Sequence, residues 1–356
     1  MATIKLGNKT IAPGTREIID IQVTKDLGFD VSIKAHVLAG KKEGPTLLLL
    51  STLHGHEWFS VLIFKELVKR CNLNDLSGNI ILVPVANPAA FNTGTRCILD
   101  NSDEPDANRA FNGKYQWLSN QLTRVIEEEF ISKADYMIDF HIGDWGCTMA
   151  DIGYLDDPGD PENTAVSKGM ALSYQFPIIH NMFSQKGKSN RSSTRRARFD
   201  YGIPTIVPEI GGLGFGEAIE TRWLEQNISG IMGNLKYLNM LKGEPDYCPQ
   251  YLIIRDYFRV SPQNGGYLES LIPLERQATE IKKEEVLAKI YDPETFEVLE
   301  ELKSPEKGIL FYTCRSYMIR PGGWAFGVAK TENNNSRWFD SVTLLQGETS
   351  LQRKEN

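Results

Sequence analysis

The chain has 356 residues, of which 41% are hydrophobic, 24% charged and 10% aromatic, which excludes the disordered and fibrous classes and gives a soft expectation of two domains. Its 39 Lys and Arg against 46 Asp and Glu leave a formal charge of -7, the wrong field for gripping a phosphate backbone. No apolar run approaches the roughly 20 residues that cross a bilayer, so neither nucleic acid nor membrane is expected as a partner.

The start, Met1 to Gly7, lacks the basic and apolar regions of an export signal. The five cysteines, Cys71, Cys97, Cys147, Cys248 and Cys314, are scattered without a CxxC pair, which reads as reduced thiols in a cytoplasmic protein. Pro45 to Ser51 is a short apolar run suited to a strand buried on both faces. From Glu57 to Arg70, Trp58, Val61, Leu62, Phe64, Leu67 and Val68 recur at helical spacing. Further strands are expected at Ile80–Val85, Tyr136–His141 and Pro204–Glu209, and further helices at Leu118–Phe130, Val166–Ser173 and Glu217–Leu241. This alternation predicts a three-layer α/β domain on a mixed, largely parallel sheet.

After about Gly243 the texture changes to short segments punctuated by Gly265-Gly266, Ser304-Pro305 and Pro321-Gly322-Gly323, the rhythm of a small all-β domain. The expected division is a catalytic domain at 1–243, a small β domain at 244–330, and an extension at 331–356 whose end, Gln352 to Asn356, frays.

The chemistry is concentrated where histidine is scarce. Of five histidines, His54 and His56 lie in His54-Gly55-His56-Glu57, where a buried strand gives way to a helix. His54 and Glu57 can converge on one ion at the carboxyl edge of the sheet, and His141, closing another buried strand, can emerge at the same edge. Two His and one carboxylate leave one zinc position open for water, the arrangement of a hydrolytic site. His56 competes with His54 but should point elsewhere if the helix begins there; Asp139 is either an acceptor behind His141 or an ordinary strand residue.

These residues belong to a longer series of motifs. In order come His54-Gly55-His56-Glu57, then Asn87-Pro88-Ala89-Ala90-Phe91-Asn92-Thr93-Gly94-Thr95-Arg96, then Asp106-Ala107-Asn108-Arg109-Ala110-Phe111-Asn112-Gly113, then Asp139-Phe140-His141, and finally Pro208-Glu209-Ile210-Gly211-Gly212. Over roughly residues 45 to 215 this series resembles the succinylglutamate desuccinylase/aspartoacylase family, a branch of the zinc carboxypeptidase superfamily. The resemblance implies His54, Glu57 and His141 as ligands of one zinc ion per subunit, and Glu209 as the general base. It implies Asn108 and Arg109 as the grip on a substrate carboxylate, and Arg96 as polarising the scissile carbonyl or binding a second anionic group. Ala107 and Asn112 depart from the family's usual Leu and Pro, which touches the packing of that loop. The resemblance also implies a C-terminal domain similar to a biotinyl/lipoyl-type, barrel-sandwich fold, walling the active-site mouth or supporting a homo-oligomer.

The stretch Lys186 to Arg198 carries six basic residues and no acid. It is either a solvated loop or, leading into the Glu209 strand, a positive pocket lining in which one of Arg191, Arg195 and Arg196 faces the site. The function that follows is a zinc-dependent amidohydrolase removing an acyl group from a small anionic N-acyl amino acid. A metallocarboxypeptidase acting on short peptides, and a catalytically silent metal-binding interaction module, are the alternatives.

Overall fold

The computed structural model describes residues 3–98, 106–143, 146–183, 191–212, 214–331 and 336–346. The terminal Gln352 to Asn356, expected to fray, lies outside the described residues. Short strands β1 (Ile4–Leu6) and β2 (Lys9–Ile11) form a hairpin ahead of β3 (Arg16–Asp26), β4 (Phe29–Ala39) and β5 (Lys42–Ser51). Helix α1 (Phe59–Arg70), β6 (Ser77–Val83), α2 (Pro88–Thr93), α3 (Leu118–Val125), β7 (Tyr136–Phe140), β8 (Cys147–Asp156), α4 (Pro161–Ser173), β9 (Ile178–Phe183), α5 (Ser193–Asp200), β10 (Thr205–Gly211) and α6 (Glu217–Tyr237) follow. The remainder is β11 (Gln250–Ile254), β12 (Tyr257–Val260), β13 (Gly266–Ser270), β14 (Glu280–Ile281), β15 (Val286–Tyr291), β16 (Val298–Lys303), β17 (Gly308–Cys314), β18 (Ser316–Ile319), β19 (Phe326–Lys330), β20 (Arg337–Asp340) and the short α7 (Ser341–Leu345).

The main sheet is mixed, its path running β12-β19-β17-β8-β10-β7-β5-β6-β4-β3. Parallel pairing is narrower than the apolar runs predict. It holds the centre, β10-β7-β5-β6, and the side strands β8-β9-β11, whereas β8 runs antiparallel to β10, and β4 to β6. The alternation of β5 explains why its run is wholly apolar: Leu47 and Leu49 join one core cluster and Leu48 and Leu50 the other, all at 0% exposure. On the first face pack Phe59, Ile63, Phe64 and Leu67 of α1 together with α4 and α6; on the second lie Leu122 of α3, its continuation through Ile126 and Phe130, and the inner residues of β3 and β4. These are the three expected layers.

From Gln250 the regular structure of the described residues is all-β apart from a 3-10 turn and α7. Some of its strands form a separate four-stranded sheet, β16-β15-β13-β18, while β12, β17 and β19 extend the main sheet beyond β8. Antiparallel pairing of β17 with β8 sets Cys314 opposite Cys147, 167 residues apart in sequence, and a disulfide joins them. This corrects the reading of five reduced thiols, which had no means of anticipating so distant a register. The inference of a cytoplasmic location loses that support. Thiol titration of the unreduced, denatured chain should find three groups, Cys71, Cys97 and Cys248, and five after reduction.

Candidate active site

Strand β5 ends where Thr52 enters the left-handed region at φ 58°, a costly conformation for a β-branched residue, held by a hydrogen bond from its hydroxyl to the Pro84 carbonyl at 2.8 Å. The chain then turns, with Glu57 N donating to His54 O at 3.1 Å and Trp58 N to His56 O at 3.0 Å. The helix therefore starts at Phe59 and not at Glu57 as its periodicity suggested, which frees Glu57 to face back toward His54. Gly55 is required here by close approach: a Cβ would stand 2.0 Å from the carbonyl carbon of Ala90.

The turn delivers a compact trio. One carboxylate oxygen of Glu57 lies 2.7 Å from His54 Nδ1 and the other 3.0 Å from His141 Nδ1; all three residues are buried. One donor atom from each lies within 4.8 Å of the others, a set that can hold a metal ion. Burial, the largest influence on the Glu57 carboxyl, would raise its pKa, but His54 and His141 together hold it well below the usual glutamate range. The same partnership raises His141, with Glu57 and Asp139 outweighing its desolvation. A borderline-soft ion such as zinc suits this imidazole and carboxylate set.

Behind the trio lies a hydrogen-bonded support. Asp139 Oδ2 stands 3.6 Å from His141 Nε2 and accepts from the Ser193 hydroxyl, while the Ser193 backbone N–H donates to Asn108 Oδ1 at 3.0 Å. Asn108 Nδ2 is 3.2 Å from His141 Nε2, and Asp106 spans 3.2 Å to both His54 Nε2 and Arg96. Asn108, expected to grip substrate, has its carbonyl oxygen engaged by Ser193 and its amide against His141. Ser193 lies in a stretch whose dominant sequence signal is its positive charge, and nothing in that signal points to a hydroxyl behind His141. Asp139 is thus tied to His141, which favours the acceptor reading.

Glu209 stands on β10, next to β7. His141 forms a bridge with it, and His141 N donates to Pro208 O at 3.1 Å, locking the two backbones together. Desolvation pushes the Glu209 carboxyl well above the ordinary value, and the negative charges of Glu57, Asp151 and Asp139 add to this while His141 opposes it. Gly211, two residues on, has φ 113°, and a Cβ there would meet the Phe59 ring at 2.6 Å, so the chain turns away directly after the carboxylate.

One cavity of about 1270 Å³ takes in His54, His56, Glu57, His141 and Glu209, together with Arg96, Asn108, Arg109, Arg191 and Arg195. Its far wall comes from β8, β9 and the C-terminal strands, including Asp151, His180, Tyr257 and Trp324, none of which the sequence reading singled out. Arg195 is close enough to Arg109 for its pKa to be lowered, after desolvation, by that neighbour. Where the basic run predicts one of its three arginines at the site, Arg191 and Arg195 both line the cavity and Arg196 does not. Its guanidinium bonds Glu127 at 2.6 Å and Asp200 at 2.7 Å, and it is absent from the cavity wall, because on α5 the residue after Arg195 is turned by about 100°. Lys186 and Lys188 of the same basic run lie outside the described residues.

Residues 43–231, just over half of the chain, match the family model described as the Succinylglutamate desuccinylase/Aspartoacylase catalytic domain. A curated relative, the N-alpha-acetyl-L-2,4-diaminobutyric acid deacetylase of Halomonas elongata, is 25% identical over 264 residues, covering 70% of this chain and 71% of the relative. Among solved structures, a succinylglutamate desuccinylase/aspartoacylase from Rhodobacter sphaeroides superposes with a TM-score of 0.73 at 20% identity, covering 88% of this chain and 95% of that one. The product-bound ectoine utilization protein EutE (DoeB) from Ruegeria pomeroyi gives a TM-score of 0.74 at 21% identity, covering 89% and 95%. Likeness at this identity is a likeness of fold. No helix among the described residues is long and apolar enough to cross a membrane.

Proposed function

The chain belongs to the succinylglutamate desuccinylase/aspartoacylase family, and from that premise we propose that it is a zinc-dependent amidohydrolase that removes the acyl group from an N-acyl amino acid. The observation that carries the reading is the convergence, in one cavity, of a buried His-Glu-His trio and a further carboxylate, Glu209, from the adjacent strand. His54, Glu57 and His141 would hold the ion, which when bound supplies Lewis acidity to the acyl carbonyl and to water. Glu209 takes a proton from the attacking water and delivers it to the departing amine nitrogen. Its desolvated setting suits that role, since a carboxylate of raised proton affinity is the stronger base.

Arg109 and Arg195 hold the substrate carboxylate, as planar guanidinium forks do. Arg96, held by Asp106, faces the same cavity and is placed to polarise the carbonyl or meet a second anionic group. Asn108 acts through His141 and Ser193, as a positioning residue. We propose the working division as 1–243 for catalysis and 244–330 for the β domain, which contributes Tyr257, Arg259, Tyr312, Tyr317 and Trp324 to the wall.

Metal analysis followed by a screen of acetyl, succinyl and longer N-acyl amino acids against short peptides, read by release of free amine, tests the function. Preference for peptides would make it a carboxypeptidase, and stoichiometric metal without any turnover would make it a binding module. Within that assay the two neighbouring arginines should separate: Arg195→Ala raises KM by about tenfold or more, as loss of a charged hydrogen bond does. Arg196→Ala, which breaks ion pairs outside the cavity, lowers the melting temperature by a few degrees, with KM held within about threefold.

A further inference from the structure

The sheet order sets functional groups in a row along one edge. His54 and Glu57 follow β5, His141 follows β7, Glu209 stands on β10, Asp151 on β8 and His180 on β9. Asp151 is the register partner of Glu209, so it lies one strand spacing, about 4.8 Å, beyond the proposed base. It is 1% exposed yet lines the cavity, and its Oδ1 has no hydrogen-bond partner among the described residues. Its other oxygen is 3.3 Å from His180 Nδ1. A buried carboxylate left half-satisfied is costly unless something meets it.

The surroundings indicate what would meet it. His180 stands edge-on to Tyr257 at 5.7 Å, and Tyr257 stacks on Trp324 at 5.7 Å, so aromatic surface flanks the carboxylate. With Nδ1–H directed to Asp151, the Nε2 of His180 is left as an acceptor. Of the cationic side chains on this part of the wall, Arg259 lies 5.5 Å over the Trp324 ring and bonds Ser261 and the Gly322 carbonyl, and Arg320 is exposed. An anionic group would be repelled by Asp151, and a neutral donor would give its free oxygen one hydrogen bond without offsetting the buried negative charge. A primary ammonium supplies three donors, and it is also attracted to aromatic faces. At the other side of Glu209 the cavity holds Arg109 and Arg195, suited to a carboxylate.

We infer that Asp151, His180 and Tyr257 form a subsite for a cationic group, so that the N-acyl amino acid taken by this enzyme carries a second, free amine. This rests on the deacylase reading for the reaction but not for the binding, and the two can fail separately. The net charge of the substrate is then near zero, which refines the expectation of an anionic one.

The test uses the full chain loaded with zinc. Turnover is measured on Nα-acetyl derivatives of 2,4-diaminobutyrate, ornithine and lysine, each against its counterpart lacking the terminal amine: 2-aminobutyrate, norvaline and norleucine. Binding of the six free amino acids is measured by calorimetry. The wild type should favour at least one diamino compound over its counterpart by about tenfold or more, in kcat/KM or in affinity. Asp151→Asn should bring that ratio close to unity, and Tyr257→Leu should lower it by about threefold or more. A structural role, or an effect of Asp151 on Glu209 alone, would depress both members of a pair and leave the ratio intact, which would overturn the assignment, as would a wild-type ratio near unity. Should Asp151→Asn not fold, the wild-type ratio and Tyr257→Leu decide. Selective binding without any deacylation would sink the deacylase reading and keep the subsite; deacylation without discrimination would do the reverse.

Discussion

Glu209→Gln lowers kcat by roughly 10² to 10⁴-fold, the usual worth of a positioned acid/base group, while the metal content of the protein stays at the wild-type level. The substitution keeps the shape of the side chain and removes only its capacity to carry a proton. Among the described residues no side-chain hydrogen bond joins Glu209 to His54, Glu57 or His141, so the three side chains that would hold the ion keep their places in the variant. The pH profile supplies a second readout. A base must be ionised to act, so wild-type kcat/KM climbs as pH rises through the Glu209 pKa, which burial sets above the ordinary glutamate value. In the Gln variant that limb is missing. A metal-loaded variant with near wild-type turnover would remove Glu209 from the mechanism, and with it the strongest reason for reading the cavity as a hydrolytic centre.

Much of this site was legible in the chain because strand ends announce themselves. Leu47 to Leu50, and Met137, Ile138 and Phe140, are buried apolar residues pointing to both faces of their strands, so the residues that follow them, His54 and His141, had to emerge at one edge. The overlooked elements have weaker patterns. In β8, Asp151, Gly153 and Asp156 interrupt the apolar run, and it was passed over; with it went the Cys147–Cys314 bond and the Asp151 side of the cavity. In β3, Ile19 and Ile21 alternate with Asp20 and Gln22, a period-two signal that was present but too short to compete with the helical pattern downstream. Charge alone also could not tell Arg195 from Arg196, because the choice depends on which face of α5 meets the cavity. The C-terminal wall was least legible of all: Tyr257 and Trp324 reach the site only through pairing of β12 with β19 and of β17 with β8, contacts spanning more than a hundred residues in the second case.

Metal binding rests most heavily on Glu57, and Glu57→Gln should abolish it more completely than its conservative size suggests. In the structure the carboxylate lies between His54 Nδ1 at 2.7 Å and His141 Nδ1 at 3.0 Å, so the proposed ligand is also the group toward which both imidazoles are turned. The amide keeps one acceptor oxygen but presents an NH2 group to one ring, and it brings no negative charge to a buried divalent ion. Zinc per chain should fall from about one to under roughly a tenth, and turnover by about 10³-fold or more, given the penalty for removing one member of a buried ionic set. Chelation of the wild type should reproduce the loss of turnover, and added zinc should restore the wild type but not the variant. The melting temperature separates the effects. If the variant melts with the chelated wild type yet remains inactive in excess zinc, the loss is one of binding and not of folding. Stoichiometric zinc with turnover in Glu57→Gln would mean that the ion sits elsewhere in the cavity, and the assignment of His54, Glu57 and His141 would fall.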